Sequence, residues 1–467
     1  MLFNSVHFII FLPIVLIIAN YLKDTRQRLF LLIASFYFYM AWNYYFILLL
    51  LFSTIIDYFA GLSISKLPKE DKKRKLYLIL SLVTNIGFLA YFKYTNFILG
   101  AFNDINVFNS FRFVEYNIIL PVGISFYTFQ SMSYTIDVYN QKLEARKSFL
   151  DFALYVAFFP QLVAGPIVRA ETFFRDLDNR LPVDYLTIKK AFSQILVGFT
   201  KKVVFADNFA VCVDSVFGNY GSLSSLEVWT GVFSFFWQLY FDFGGYTDIA
   251  IGVARLFGFQ FDVNFYYPLN VTSLSEHWSR WHISFTTWIR DYIFIPLGGS
   301  KNGRFAAHRN NFITFMFGGI WHGAAYHYVV WGITHSILLG IEREYKGTKL
   351  REKLNQVGGI PYKILCYILT ILCIAYTVVL FRANNMSDAI SIMKSMSFLG
   401  NNAIGFQNIG YLKLAIFLFI FDWLAEIYKL KSFLKNPYIF TAFIVGNLFL
   451  LLTFGVNESK NFIYFAF

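Results

Sequence analysis

Apolar residues along this chain run in long blocks broken by short polar or basic interruptions, with none of the strict alternation of half-buried strands. Residues 6–22, 29–42, 46–65 and 76–99 read as the first helices, and 363–381, 411–428 and 438–454 as the last. A short helix is expected at 387–396, inside a polar connection spanning 384–407. Because a span needs about twenty mostly apolar residues, the blocks predict about eleven crossings, some of them short or re-entrant. The fold class that follows is an all-α polytopic membrane protein, with residues 1–467 forming a single integral membrane domain.

Four stretches depart from the simple lipid-facing pattern. Residues 120–139 carry Pro121, Gly123, Ser125, Gln130, Ser131 and Asp137, too many polar groups for lipid, so this helix is expected to line the interior. In 158–169, Pro160, Gly165 and Pro166 predict a broken or re-entrant segment, again lining a cavity. Residues 228–257 are interrupted by Asp242, Gly244, Gly245, Asp248 and Arg255. Asp248 and Arg255 share a helix face but stand too far apart to touch, so each is expected to pair elsewhere.

The fourth stretch, 273–299, opens on a capping box, Ser273 with Glu276. Trp278, Trp281, Phe285, Trp288, Ile289 and Tyr292 then recur at helical spacing, opposite Arg280, Ser284, Thr287 and Asp291. The spacing predicts one amphipathic helix at the cytoplasmic interface, ended by Pro296, Gly298 and Gly299, with His282 inside the aromatic stripe and facing inward.

Composition sharpens this picture. With 57% hydrophobic and 15% charged residues, the chain lies outside the range of soluble domains, and nucleic acid is not expected as a partner. The net charge of +12 gathers in 66–75, 169–190, 301–309 and 343–353, read as cytoplasmic loops facing anionic lipid or an anionic donor. Lys201 and Lys202 are expected to snorkel from a helix end. The first apolar run has no Lys or Arg before it and Lys23, Arg26 and Arg28 after it. It therefore reads as a retained helix with its N-terminus outside, no soluble domain before it, and residues 100–116, Asn109 included, also outside. Cys212, Cys366 and Cys373 offer no disulfide framework, since the last two would lie roughly 10 Å apart on one helix.

The candidate chemistry centres on Gly318, Gly319, Ile320, Trp321, His322, Gly323 and Ala324, inside the apolar run 312–340. An imidazole at membrane depth is costly and by default functional. The glycines let a helix, a ligand or a narrow tunnel approach the backbone beside it, and Trp321 would wall that space. The alternative is a histidine that only packs against a neighbouring helix. His277 and His282, like His322 and His327, are five residues apart and would point about 140° apart on one helix, so no metal site is expected. No G-x-S-x-G elbow is present. Acyl transfer from a thioester needs less: His322 as base or acyl carrier, with His282 or indole N–H groups orienting it.

The stretches GGIWHGA (318–324) and RWHISFTTWIRDYIFIPLGG (280–299), together with 120–139, 158–169, 240–252 and Phe381-Arg382-Ala383, resemble the membrane-bound O-acyltransferases. The likeness is to the branch that contains the alginate O-acetyltransferases. The closing FIYFAF (462–467) is similar to that family's usual ending, with Ala466 where a polar residue is common. The resemblance implies a bundle of about eleven helices around a central tunnel, with His322 and His282 matching the family's two histidines. Trp321, Gly318, Gly319, Trp281, Arg280, Gln130 and Asp291 are then the candidate tunnel residues.

It further implies a bacterial cytoplasmic (inner) membrane location and no bound cofactor. The acyl donor would be cytoplasmic, acetyl-CoA or an acyl-carrier thioester, and the acetyl group would cross the membrane to an extracytoplasmic SGNH-type acetyltransferase partner acting on a polysaccharide. Peptidoglycan O-acetylation and teichoic-acid D-alanylation are the related alternatives, the PLGG sequence favouring acetyl transfer. A polysaccharide or lipid transporter is the alternative of another class, and it would not need His322.

Overall fold

The computed structural model is helical and describes residues 1–104, 113–397, 408–427, 436–456 and 462–463. Position 109, the stretch 398–407 of the expected polar connection, residue 428 and the closing 464–467 lie outside the described residues. The apolar blocks become helices close to where the pattern puts them. Val6–Tyr21, Asp24–Met40 and Phe46–Lys66 open the chain, and Lys73–Asp104 runs on through a π-helical turn at Ala90–Tyr94. Among the described residues, Phe46–Lys66, Lys73–Asp104, Gly359–Arg382 and Pro437–Phe454 are long and apolar enough to cross a membrane, and the apolar Val6–Tyr21 is shorter. Pro437–Phe454 has no buried residue in its most apolar window, and Leu452 stands 89% exposed. A helix this apolar and this exposed needs a lipid surround.

The chain divides into two compact units, residues 1–195 with 246–262, and residues 196–245 with 263–467. The 32-residue helix Ser225–Leu256 contributes to both. In the first unit, Ile124–Tyr139 is buried along nearly its whole length, its hydroxyls and amide included, and packs against Phe46–Lys66 and Lys73–Leu89. Polar groups at such depth must bond within the protein. Asp57 accepts from Ser81 Oγ at 2.5 Å and Asn85 Nδ2 at 2.9 Å, and Ser53 Oγ donates to Asn85 Oδ1 at 2.8 Å. Residues 158–169 are broken as their prolines require: Phe149–Ala157 stops, a single turn forms at Phe159–Leu162, and no helix resumes before Ala170. Asp248 and Arg255 do pair elsewhere, and on the same side chain. Gln194 donates to Asp248 at 3.1 Å and accepts from Arg255 at 2.9 Å.

Several polar stretches differ from expectation. The basic segments are not simple loops: 169–190 holds Ala170–Asp178 and the start of Tyr185–Phe199, 301–309 begins Gly303–His322, and 343–353 joins Tyr326–Lys346 to Lys349–Val357. Lys and Arg are good helix formers, so a basic run interrupts burial without interrupting the helix. Within 66–75, Arg74 is buried and donates to the Tyr139 carbonyl at 2.6 Å. Lys202 does not snorkel. It is buried between Asp207 at 2.8 Å and Asp242 at 2.7 Å, and Asp242 also accepts the backbone N–H of Ile463. Asp242 is 40 residues away, which is why spacing alone pointed Lys202 to solvent.

Candidate active site

The expected single helix over 273–299 is three pieces. Leu274–Arg280 is followed by an extended Trp281 and a left-handed His282, then by Ile283–Ile289 and a π-helical turn at Arg290–Phe294. Ser273 Oγ caps the first piece through Glu276 N–H, but the Glu276 carboxylate reaches back to Thr272 N–H instead of completing the box. His282 sits at φ 41° and ψ 53°. That region is unfavourable for a residue with a Cβ and persists only where the surroundings enforce it. Here the segment 264–266 does so: Asn264 O accepts Ile283 N–H at 2.9 Å, and Tyr266 N–H donates to Arg280 O at 3.0 Å. No periodicity could announce this break, because the aromatic stripe is continuous through it.

The break buries His282 and fixes its tautomer. Asn264 Oδ1 accepts the Ser284 hydroxyl at 2.9 Å and its backbone N–H at 3.0 Å, and the backbone N–H, which cannot accept, identifies the amide oxygen. The same oxygen lies 3.2 Å from His282 Nδ1, which therefore carries the proton and leaves the lone pair of the neutral ring on Nε2.

His322 ends the helix Gly303–His322, and the chain turns through extended Gly323 and Ala325 into the antiparallel Tyr326–Lys346. The run 312–340 is thus a helical hairpin with the histidine at its tip. The glycines have separate jobs. A methyl group on Gly319 would lie 2.3 Å from the Tyr328 carbonyl oxygen, and one on Gly323 would enter the Tyr328 ring, so both admit protein rather than ligand. At Gly318 the nearest neighbour is the Phe285 ring at 3.8 Å, an ordinary contact.

Aromatic rings connect the two histidines. Phe285 and Trp321 stack at 4.2 Å. His282 lies 5.1 Å from Phe285 and 6.0 Å from Trp321, and His322 lies 5.6 Å and 4.8 Å from the same two rings. Trp331 and Phe381, each at 5.0 Å, close the other side of His322. Both imidazoles are almost fully buried.

His322 borders an enclosed space of about 40 Å³, walled also by Trp281, Trp331, Phe381, His277 and His335. That is room for ordered water and far less than a ligand pocket of several hundred Å³. Sequence reasoning missed His277 and His335 as neighbours of His322. His277 Nδ1 donates to the Pro268 carbonyl at 2.8 Å, and His335 Nδ1 accepts from Trp278 Nε1 at 3.4 Å. Their only signal in the sequence was that they are histidines. Among the described residues no three His, Cys, Asp or Glu groups gather as a metal site.

Arg280 and Asp291 do not line this space. Arg280 bridges Glu276 and Glu426, both at 2.8 Å, and Asp291 pairs with its neighbour Arg290 at 2.8 Å. Gln130 belongs to the other unit, where its amide is fully buried with neither polar atom hydrogen-bonded among the described residues.

Comparison with known proteins places this geometry. Residues 31–381 match the sequence profile of the membrane-bound O-acyltransferase family. The chain is 38% identical over 452 residues to a probable alginate O-acetylase AlgI of Pseudomonas aeruginosa, across 94% of this chain and 84% of that one. It is 36% identical over 429 residues to a peptidoglycan O-acetyltransferase of Helicobacter pylori, across 85% and 80%. A teichoic acid D-alanyltransferase of Bacillus subtilis is 27% identical over 242 residues, across 48% of this chain and 59% of its own length. With a match of this extent on a helical chain whose peripheral helices demand lipid, the protein is a multi-pass membrane acyltransferase and belongs to the membrane-bound O-acyltransferase family.

Proposed function

We propose that this enzyme takes an acetyl group from a cytoplasmic thioester, acetyl-CoA or an acyl-carrier protein, and passes it across the bacterial cytoplasmic membrane for O-acetylation of an extracytoplasmic polysaccharide. An SGNH-type acetyltransferase is the partner that delivers the group to the polymer. The whole chain acts as one integral membrane domain, a reading supported by a family match that runs through both units.

The observation that carries the assignment is His322: a buried imidazole at a hairpin tip, ringed by aromatic side chains, beside an enclosed space fit for water-sized groups. In that setting a neutral imidazole is a competent base, and a dry, apolar surround strengthens every polar contact made to the reacting atoms. His322 removes the proton from the acceptor hydroxyl as its oxygen attacks the thioester carbonyl. The C–S bond breaks, the ester forms, and the proton returns to the departing thiolate. His282, with its proton held on Nδ1 by Asn264, offers Nε2 and orients the site through the Phe285–Trp321 stack. Trp281 walls the space.

His322→Ala tests this in cells. Mass spectrometry of surface glycans should show O-acetylation falling by about 10²- to 10⁴-fold, while the protein remains inserted at normal abundance. Unchanged O-acetylation would reduce His322 to a packing histidine. Acetyl-labelled donor separates base from carrier: hydroxylamine-sensitive label on the wild type, lost in the variant, would make the histidine an acyl relay. Peptidoglycan is the second reading for the acceptor, because the relative of that name aligns over nearly as much of the chain as the alginate relatives. D-alanyl transfer has weaker support, from a match to half the chain.

A further inference from the structure

We propose that the groove between the basic ends of helices Gly303–His322 and Tyr326–Lys346 is a binding site for an anionic phospholipid, its phosphate held by Arg309 and Arg343 and its acyl chains lying along Phe312, Ile337 and Ile341. The groove encloses about 1330 Å³, larger than a drug-sized pocket. Because the helices are antiparallel, Arg304 and Arg309 near the start of one meet Arg343 near the end of the other. Eight residues separate Arg304 from Phe312, about 12 Å of helix rise. Over that distance the lining changes from guanidinium groups to phenyl and sec-butyl surfaces. Polarity therefore runs along the groove as it runs along a lipid.

The charges at the polar end are only partly neutralised from within. Arg304 and His308 share Glu344. Among the described residues, no carboxylate lies within ion-pair distance of Arg309 or Arg343. Arg309 donates to Asn310 Oδ1 at 3.0 and 3.2 Å, and Arg343 to Ser300 Oγ at 3.2 Å, both neutral acceptors. Two guanidinium forks with neutral partners suit a phosphate, which accepts from several N–H groups at once. The apolar end is open sideways, with Ile337 55% and Ile341 61% exposed. A small soluble anion would use the arginines and leave that surface bare, whereas a phospholipid covers both. Gly340 keeps the floor free of a side chain beneath the His308 ring, 3.2 Å from where a methyl group would sit. By the inside bias of basic residues, the leaflet concerned is the cytoplasmic one, which carries the anionic lipid.

The test is lipid retention on the full-length purified protein, measured by native mass spectrometry after equilibration with equal amounts of phosphatidylglycerol and phosphatidylcholine in detergent. The wild type should retain one phosphatidylglycerol in clear preference, and the preference should fall as ammonium acetate is raised. Each cation near a membrane surface changes anionic-lipid binding by about fivefold, so the double variant Arg309→Gln/Arg343→Gln should lose preference by about 25-fold. The Arg309→Lys/Arg343→Lys pair should keep most of it, and Lys353→Gln, on the next helix, should keep all of it. Should the glutamine pair not yield monodisperse protein, the salt titration and the lysine pair decide instead. Glycerol 3-phosphate, which has the headgroup chemistry without chains, should not displace the lipid. Equal retention of the two lipids, or a preference indifferent to salt and to both arginines, would overturn the proposal. Displacement by coenzyme A would overturn it in favour of a donor-binding groove.

Discussion

Gly319 and Gly318 are adjacent and chemically identical, yet the structure predicts opposite outcomes for alanine at the two positions. At Gly318 the new methyl group meets only the Phe285 ring, at 3.8 Å, so Gly318→Ala gains the helix preference of alanine, about 0.5–1 kcal/mol, without a clash. At Gly319 the methyl group would stand 2.3 Å from the Tyr328 carbonyl oxygen and 3.2 Å from the Gly332 Cα. Both neighbours are backbone and neither has a rotamer to give. Contacts much under 3 Å are repulsive, so the two helices must part by at least ~0.7 Å. Overpacking of this kind costs about 1–3 kcal/mol, which outweighs the propensity gain. His322 lies three residues further along the same helix and moves with it, and a misplacement near 1 Å costs on the order of 10²-fold in rate. The assay pairs O-acetyl content of the surface glycan with thermal unfolding of the purified protein. Gly318→Ala should match or slightly exceed the wild type, whereas Gly319→Ala should unfold earlier and acetylate far less. If Gly319→Ala is as stable and active as Gly318→Ala, the crossing of the two helices does not position the histidine and the reasoning fails.

Two further outcomes follow from single contacts. His282→Ala should lower acetylation less than His322→Ala, and Asn264→Ala should lower it by acting through the His282 tautomer; a double variant much worse than His282→Ala alone would show Asn264 acting independently. Outside the spans, bidentate hydrogen bonds from Arg146 hold the Asp178 carboxyl below the usual carboxylate range. A carboxyl with a depressed folded pKa stabilises above its unfolded value and loses that contribution as pH falls through the folded one. The gap in unfolding temperature between wild type and Asp178→Asn should therefore be constant from about pH 8 to pH 5 and close only below about pH 4; closure already near pH 6 would mean that Asp178 is not held in this way.

The sequence by itself determined the helical class, the membrane setting and the place of the unusual histidine, because each depends on local properties. A helix satisfies its own backbone, so long apolar blocks can only be helices in lipid, and an imidazole inside such a block is conspicuous wherever the block folds. The broken segment at 158–169 was legible for the same reason, since proline acts on its own neighbours. What only the tertiary structure decided involves partners remote in sequence. Residues 264–266 force the left-handed turn at His282 in a stretch whose aromatic spacing reads as unbroken helix. Lys202 is buried because Asp207 and Asp242 meet it there, and neither carboxylate advertises the pairing. Gly319 and Gly332 are needed by each other, and His277 and His335 become neighbours of His322 only when three helices meet at one small cavity. Helix formation is a local free-energy balance; the choice of which buried polar groups share a partner is made by packing, and no window of sequence contains it.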